Sequence, residues 1–382
     1  MPAGKPPEAL LCVVPYESNV GFAWSFIEGL YARLADRLAG QGIPTFVSYR
    51  RIDRPPTTLQ GSSAAPIELD LERSSFGALW TILRELRRRR IRVLYLTDSA
   101  SVTPRHWFFR LAGVRWIVVH DHTSGARTVP RGFRRALKWL AARVPGLAAD
   151  RVLAVSDYVA RRQREVVLLP ERRLRRVWNG LPLPAEIHAR DARTRLGLPL
   201  SPDIVVCVCR AAPEKGVETL FRAFDAVWRE RPSSTPPLLI YVGDGPHLPA
   251  LLACRETLQS KDAIQCVGYQ RDVGAYLSAA TVVAVPSIWE DALPLGVLEA
   301  MARARPVVAS TVGGIPEMAR DGREGVLVPA GNVEALRGAL CALLDDPSGR
   351  ERLGRAGRER VAESFRPEDQ LEAIHESIAA GF

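Results

Sequence analysis

The 382-residue chain has no long hydrophobic run; no uninterrupted apolar stretch approaches the ~20 residues a helix needs to cross a bilayer. Its start, MPAGKPPEALLCVVPY, lacks the basic, apolar and cleavage regions of a secretory leader. Cysteine is sparse: the six stand at 12, 207, 209, 254, 266 and 341, too scattered for a disulfide scaffold. Cys207 and Cys209 share one face of a strand, yet no second pair at metal-ligand spacing accompanies them, so free thiols and no metal are expected. The first strand-to-helix turn has one glycine, Gly21, and lacks the G-x-G-x-x-G pattern of dinucleotide binding. No D-x-D-like acidic motif is legible either. These absences argue against a membrane-embedded protein, a disulfide-stapled module and an NAD or FAD enzyme, and they fit a reducing, cytoplasmic setting.

What is present is an ordinary globular composition, 47% hydrophobic and 25% charged, with an uneven field. Residues 1–185 hold 30 Lys/Arg and 15 Asp/Glu, whereas residues 186–382 hold 22 and 27. The basic half suits an anionic acceptor or peripheral contact with an anionic membrane face. Solvated arginine faces are the plainer explanation. Nothing resembles a nucleic-acid-binding motif. Oligomeric state is not legible.

Strand-like and helix-like segments alternate along the chain. Strands are predicted at 9–16, 45–50, 93–96, 116–121 and 151–156, with helices over 22–40, 76–90 and 131–144 and a Pro/Ser-rich loop over 52–66. The proline-interrupted stretch 179–203 reads as a link. A second alternation then runs from IVVCVCR (204–210) to GVLVP (325–329), closed by two helices. The class is α/β: two doubly wound domains facing across a cleft, at 1–185 and 186–365. The helix over 366–382 either caps its own domain or crosses back to the first.

In such sheets ligands bind beyond the carboxyl ends of the strands, so the loops there are the candidates. ESNVGF (17–22) offers Asn19 and Gly21 at a helix start. HDHTSG (120–125) sets His120 and His122 on one side of a strand end and Asp121 on the other. RAAPEKG (210–216) lets Arg210 and Lys215 converge on one anion beside a helix N-terminus, an arrangement suited to a diphosphate. VGDGP (242–246) is a glycine turn. PSIWEDALPLGVLEAMA (286–302) places Glu290 and Asp291 before a Pro/Gly turn and Glu299 eight positions after Asp291, with the main chain of 292–297 left to meet oxygen. Carboxylates are natural acceptors for sugar hydroxyls. STVGGIPE (310–317) adds a glycine pair.

Taken together, RAAPEKG, VGDGP, EDALPLGVLE (290–299) and GGIPE (313–317), in this order, resemble the donor half of retaining GT-B glycosyltransferases of the large family 4 group. The likeness is close over 204–345 and looser before it. It implies two Rossmann-like domains, an acceptor domain followed by a nucleotide-sugar domain. It further implies transfer of a sugar from a nucleotide diphosphate, UDP-linked in preference to GDP-linked, with retained configuration and no essential metal or other cofactor. Arg210 and Lys215 would meet the diphosphate, Glu299 the ribose, and Asp291, or Glu290 beside it, the donor sugar. Gly243, Leu293, Pro294, Leu295 and Tyr269 would line the donor pocket. His120 matches a sugar-contacting histidine, with His122 as the fallback and Asn19 as a further acceptor or sugar contact. The acceptor is left open among small-molecule, lipid-linked and glycan hydroxyls. A nucleotide-sugar epimerase or phosphorylase of the same fold, or a non-catalytic nucleotide-sugar-binding module, is the alternative. The chain departs from the family in having Asp291 where glutamate is usual and Ala292-Leu293-Pro294 in the turn.

Overall fold

A computed structural model describes residues 7–19, 22–231 and 236–382. Its contacts divide the chain into two units, Met1–Thr123 with Arg127–Trp178 and Glu368–Phe382, and Ser124–Ala126 with Asn179–Pro367.

The first unit is built on seven parallel strands: β1 (Ala9–Val13), β2 (Thr45–Tyr49), β3 (Ala64–Glu68), β4 (Ile91–Thr97), β5 (Trp116–Asp121), β6 (Arg151–Ala154) and β7 (Leu174–Arg176). Their spatial order is β3-β2-β1-β4-β5-β6-β7. Parallel pairing requires crossover helices, which cover both faces, so the central strands β1, β4 and β5 are mostly apolar and almost wholly buried. Leu11, Leu94 and Ile117 belong to the core on one face; Leu10, Cys12, Tyr95 and Val118 belong to the core on the other.

Two strands escape the apolar pattern. β3 starts within the stretch predicted as a loop, and its Pro66 is tolerated because β3 is an edge strand, paired on one side only. β7 is the three-residue LRR at the opposite edge. Neither has the hydrophobic run that marks a central strand. The helix Arg105–Leu111 is also not legible in the sequence, being barely two turns long.

The second unit has six parallel strands: β8 (Ile204–Val208), β9 (Leu238–Val242), β10 (Ile264–Cys266), β11 (Val282–Val285), β12 (Val307–Ser310) and β13 (Gly325–Val328). Their order is β10-β9-β8-β11-β12-β13. The direction of winding reverses between β8 and β11, so the loops leaving these neighbours diverge around a crevice, the usual ligand position in an open α/β sheet. Those loops carry residues 209–216 and 286–294.

The last helix, Pro367–Ala379, packs on the first unit. Ile374 and Ile378 are fully buried in the core that holds Leu10, Tyr31 and Tyr95. Trp116 Nε1 donates to Ser377 O at 2.8 Å, and Arg175 pairs with Glu376 at 2.7 Å. The helix is thus part of that unit's core. Ile378→Ala should cost about 2–4 kcal/mol, the usual range for emptying a packed site, read as a lower urea midpoint.

Candidate functional site

The crevice of the second unit is organised around one carboxylate. β11 ends at Val285, so Ser287, Glu290 and Asp291 all stand in the loop that follows. Lys215 Nζ lies 2.6 Å from Asp291 Oδ1 and Ser287 Oγ donates to Oδ2 at 2.6 Å. Ser124 Oγ reaches Oδ1 at 3.5 Å and also receives the N–H of Ala292. Beside it, Gly125 N donates to Glu290 O at 2.7 Å and Ala126 N to Glu290 Oε2 at 3.2 Å.

The main chain is drawn tight around this pair. Gly216 has φ +66°, and a Cβ there would sit 2.0 Å from Pro286 O. Ile288 N donates to Glu214 O at 2.9 Å, so the two loops share a main-chain bond. Gly314 N holds Asp291 O at 2.8 Å. The helix Leu295–Ala302 starts immediately afterwards, capped by no side chain at Pro294. Its first amides, those of Leu295 and Gly296, have no helical carbonyl behind them and point their partial positive charge outward.

Arg210 is largely exposed and pairs with Glu214 at 3.0 Å, while Lys215 pairs with Asp291. The two cations therefore each hold their own carboxylate. Gly243 allows a close approach, since a Cβ would meet Cys209 O at 1.9 Å. Leu293 is buried and Tyr269 stands on the surface, 59% exposed.

Glu299 is 8% exposed inside its helix. Burial pushes its carboxyl up to about 7, and nearby Arg303 pulls it back only in part. The folded chain holds this proton more tightly than the unfolded chain. The group's contribution to stability is therefore full below its ordinary value of 4.5 and is lost as the pH rises to about 7. Glu299→Gln, which cannot ionise, should gain on the order of 3 kcal/mol over the parent at pH 8 and almost nothing at pH 4. Urea midpoints of both proteins at the two pH values check this.

In the first unit, the end of β5 carries the histidines. Their rings lie 4.1 Å apart on one side of the strand. His120 is fully buried; the Tyr95 hydroxyl contacts its Nδ1 at 2.6 Å, and its Nε2 has no hydrogen-bond partner among the described residues. Burial keeps its imidazole neutral, with its pKa well below the ordinary value, and neighbouring His122 adds to the effect. His122 is the one nearer solvent. Its main-chain N–H donates to Asp98 Oδ1 at 2.7 Å, and its Nδ1 stands 3.8 Å from the same atom. Burial raises the Asp98 carboxyl above the ordinary aspartate value.

Asp121, on the other side, takes both 2.9 Å bonds from Arg162 Nη2 and a bond from Gln163. Next to it lies a cavity of about 480 Å³ whose walls include Asp98, Thr123, Arg127, Lys138 and Gln163. Gln163 Oε1, buried there, has no hydrogen-bond partner among the described residues. Among the described residues there is no cluster of three or more His, Cys, Asp or Glu able to hold a metal ion, and no helix long and apolar enough to cross a membrane.

Comparison with known proteins decides the family. A family model described as Glycosyl transferases group 1 matches residues 202–346, and one described as Glycosyltransferase Family 4 matches residues 28–183. The alpha-maltose-1-phosphate synthase of Mycobacterium tuberculosis is 34% identical over 70% of this chain and 76% of its own length. The chain belongs to glycosyltransferase family 4. It is also 28% identical to the alpha-D-kanosaminyltransferase of Streptomyces kanamyceticus, over 91% of this chain and 99% of that protein. Across the related proteins the aligned part spans between 49% and 99% of the other chain. Anabaena HepE in complex with UDP-glucose has the same fold, with a TM-score of 0.77, 17% identity and coverage of 97% of this chain and 99% of that one. The fold is GT-B.

Within this glycosyltransferase, the structure brings Lys215, Asp291 and Glu290 together with Ser287 and Ser124. The two serines carry no sequence signal of their own. Ser287 becomes meaningful only once β11 is seen to stop at Val285. Asn19 is occupied locally: its amide nitrogen donates to Arg54 O at 3.0 Å and its oxygen accepts from Thr57 N at 3.2 Å. Pro294 has no N–H, so within 292–297 it cannot donate to a ligand. Gly21 lies outside the described residues.

Proposed function

We propose that this glycosyltransferase transfers a sugar from a nucleotide diphosphate donor to an acceptor hydroxyl with retained anomeric configuration, the second unit binding the donor and the first the acceptor. The observation that carries the reading is the Lys215–Asp291 pair, 2.6 Å apart, at the winding reversal between β8 and β11. Lys215 has the charge to neutralise a diphosphate, and the free amides at the start of Leu295–Ala302 add dipoles of the same sign.

In the reaction the bond from the anomeric carbon to the diphosphate oxygen breaks and a bond to the acceptor oxygen forms. The leaving phosphate takes the acceptor's proton on the face it departs from. Negative charge grows on that phosphate, and cations fixed in advance stabilise it better than reorienting water does. Lys215 and Arg210 fill that role here, with no divalent ion required. Asp291 or Glu290 accepts from sugar hydroxyls. Glu299 accepts from the ribose, and because ribose hydroxyls favour its ionised form, donor binding should tighten as pH rises through about 7. The first unit's cavity, with Arg127 and Lys138 in its wall, is the proposed acceptor seat.

UDP-sugars are the donors to try first, as in the HepE complex, and GDP-sugars second. A panel of nucleotide diphosphosugars, scored by the rise in unfolding temperature, tests the reading. One base should stand out, and Lys215→Ala should lose the rise. No shift with any nucleotide sugar, or an undiminished shift in the variant, would refute it.

A further inference from the structure

The helix Gly132–Ala141, GFRRALKWLA, buries none of its residues. Phe133, Leu137 and Leu140 recur at the i, i+4, i+7 spacing of one helical stripe and are 81%, 56% and 55% exposed, and Trp139, 50% exposed, stands about 100° round the helix from Leu140. An amphipathic helix in a folded domain ordinarily turns that stripe to the core; here it faces outward. On the helix Arg105–Leu111, Trp107 is also 47% exposed. Its Nε1 donates to Pro145 O at 2.6 Å, in the segment that follows the helix Gly132–Ala141.

The charge around this face has one sign. Between residues 99 and 143 the sequence has nine Lys/Arg and one acid, Asp121, which is buried against Arg162. Arg134 and Arg135 are exposed on the same helix and Arg131 at its N-terminal end, Arg134 flanking the apolar stripe and Arg135 on the opposite, polar side. Lys138 turns inward, its Nζ 3.3 Å from Val166 O. Two copies of such a face would bring like charges together, which disfavours self-association. An exposed apolar stripe on a helix whose other side carries arginine is what an interfacial helix presents to a bilayer carrying anionic headgroups.

We propose that this face of the first unit is a docking surface for an anionic lipid bilayer, with Phe133, Leu137, Trp139 and Leu140 entering the acyl boundary and Arg131, Arg134 and Arg135 meeting headgroup phosphates. The proposal goes beyond the transferase reading and does not depend on it, because no donor is needed for the surface to bind.

The test is co-sedimentation of the full chain with vesicles of phosphatidylcholine alone or with 30% phosphatidylglycerol. Binding should be at least tenfold stronger to the anionic vesicles and should fall as salt is raised from 0.05 to 0.5 M, because the arginine contribution is screened. The double variants Phe133→Ser/Leu137→Ser and Arg134→Gln/Arg135→Gln should each lose most of it. Both should unfold at the parent's temperature, since every substituted side chain is exposed. Absence of pelleting, equal pelleting with neutral vesicles, or undiminished pelleting of both variants would overturn the proposal. So would a concentration-dependent dimer that Phe133→Ser/Leu137→Ser dissolves while vesicles bind nothing, which would assign the face to a second copy.

Discussion

Lys215→Ala should lower turnover on the order of 10²–10³-fold, the usual loss when one group stabilising the transition-state charge is removed. The fall should be in kcat as well as in donor affinity. On the proposed reading the side chain acts on the departing diphosphate, whose charge is larger in the transition state than in the bound donor. The substitution also leaves Asp291 without its cation, but Ser287 and Ser124 still reach its two oxygens. The unfolding temperature should therefore move far less than the rate. Lys215→Arg keeps the charge and loses the geometry: a guanidinium is planar and forked where the ammonium is compact, and the loops close tightly around the 2.6 Å pair. It should recover only a small part of the activity. Steady-state kinetics with the donor identified by thermal shift, alongside the unfolding temperature of each variant, would check this. Parent-like turnover in Lys215→Ala would remove the residue from the mechanism.

The second large effect is expected at a glycine with no chemistry of its own. Gly313 has φ +56°, and a Cβ there would lie 2.0 Å from the Asp291 carbonyl oxygen and 2.8 Å from its nitrogen. Gly313→Ala therefore meets two penalties at once. The left-handed backbone costs an ordinary residue about 1–3 kcal/mol, and the new methyl must push the Asp291 main chain aside. A displacement of roughly 1 Å at the reacting centre lowers rates by about 100-fold even when every functional group survives. Gly322 is the matched control. Its φ is +70° and nothing lies within 4 Å of where a Cβ would stand, so Gly322→Ala carries the backbone cost without the collision. It should lose some stability and keep its rate. Equal rates in the two variants would show that the Asp291 loop need not be held where it is.

These two sites also show what can be read before the fold is known. The central strands announce themselves because a parallel strand covered on both faces must be apolar throughout, as IVVCV and VVAV are. β3 and β7 lack that requirement at the sheet edges, and their AAPIE and LRR sequences carry no such signature. The candidate loops are legible for a related reason: glycine, proline, lysine and carboxylate cluster in them directly after strands, a composition that allows main chain and ligand to come close.

The pairing inside those loops is not legible. Nothing in the spacing of Arg210 and Lys215 says that Arg210 pairs with Glu214 while Lys215 takes Asp291. Nor does the sequence distinguish a strand-end histidine that is fully buried against Tyr95, His120, from one that is only partly buried, His122. Asn19, in the loop after the first strand, is expected as an acceptor or sugar contact, its side chain having both a donor and an acceptor. In the fold both are committed to the chain around residues 54–57, a partnership 35 or more positions away. The outward stripe of Gly132–Ala141 has the period of a core helix, and only its exposure separates the two.

Whether the loops 210–216 and 290–299 together grip a nucleotide diphosphate is tested most directly by amide hydrogen exchange of the full chain, with and without saturating UDP or GDP. Slowed exchange concentrated in those two segments is the predicted result. Protection confined to the first unit, with both loops exchanging as fast as in the free protein, would contradict it.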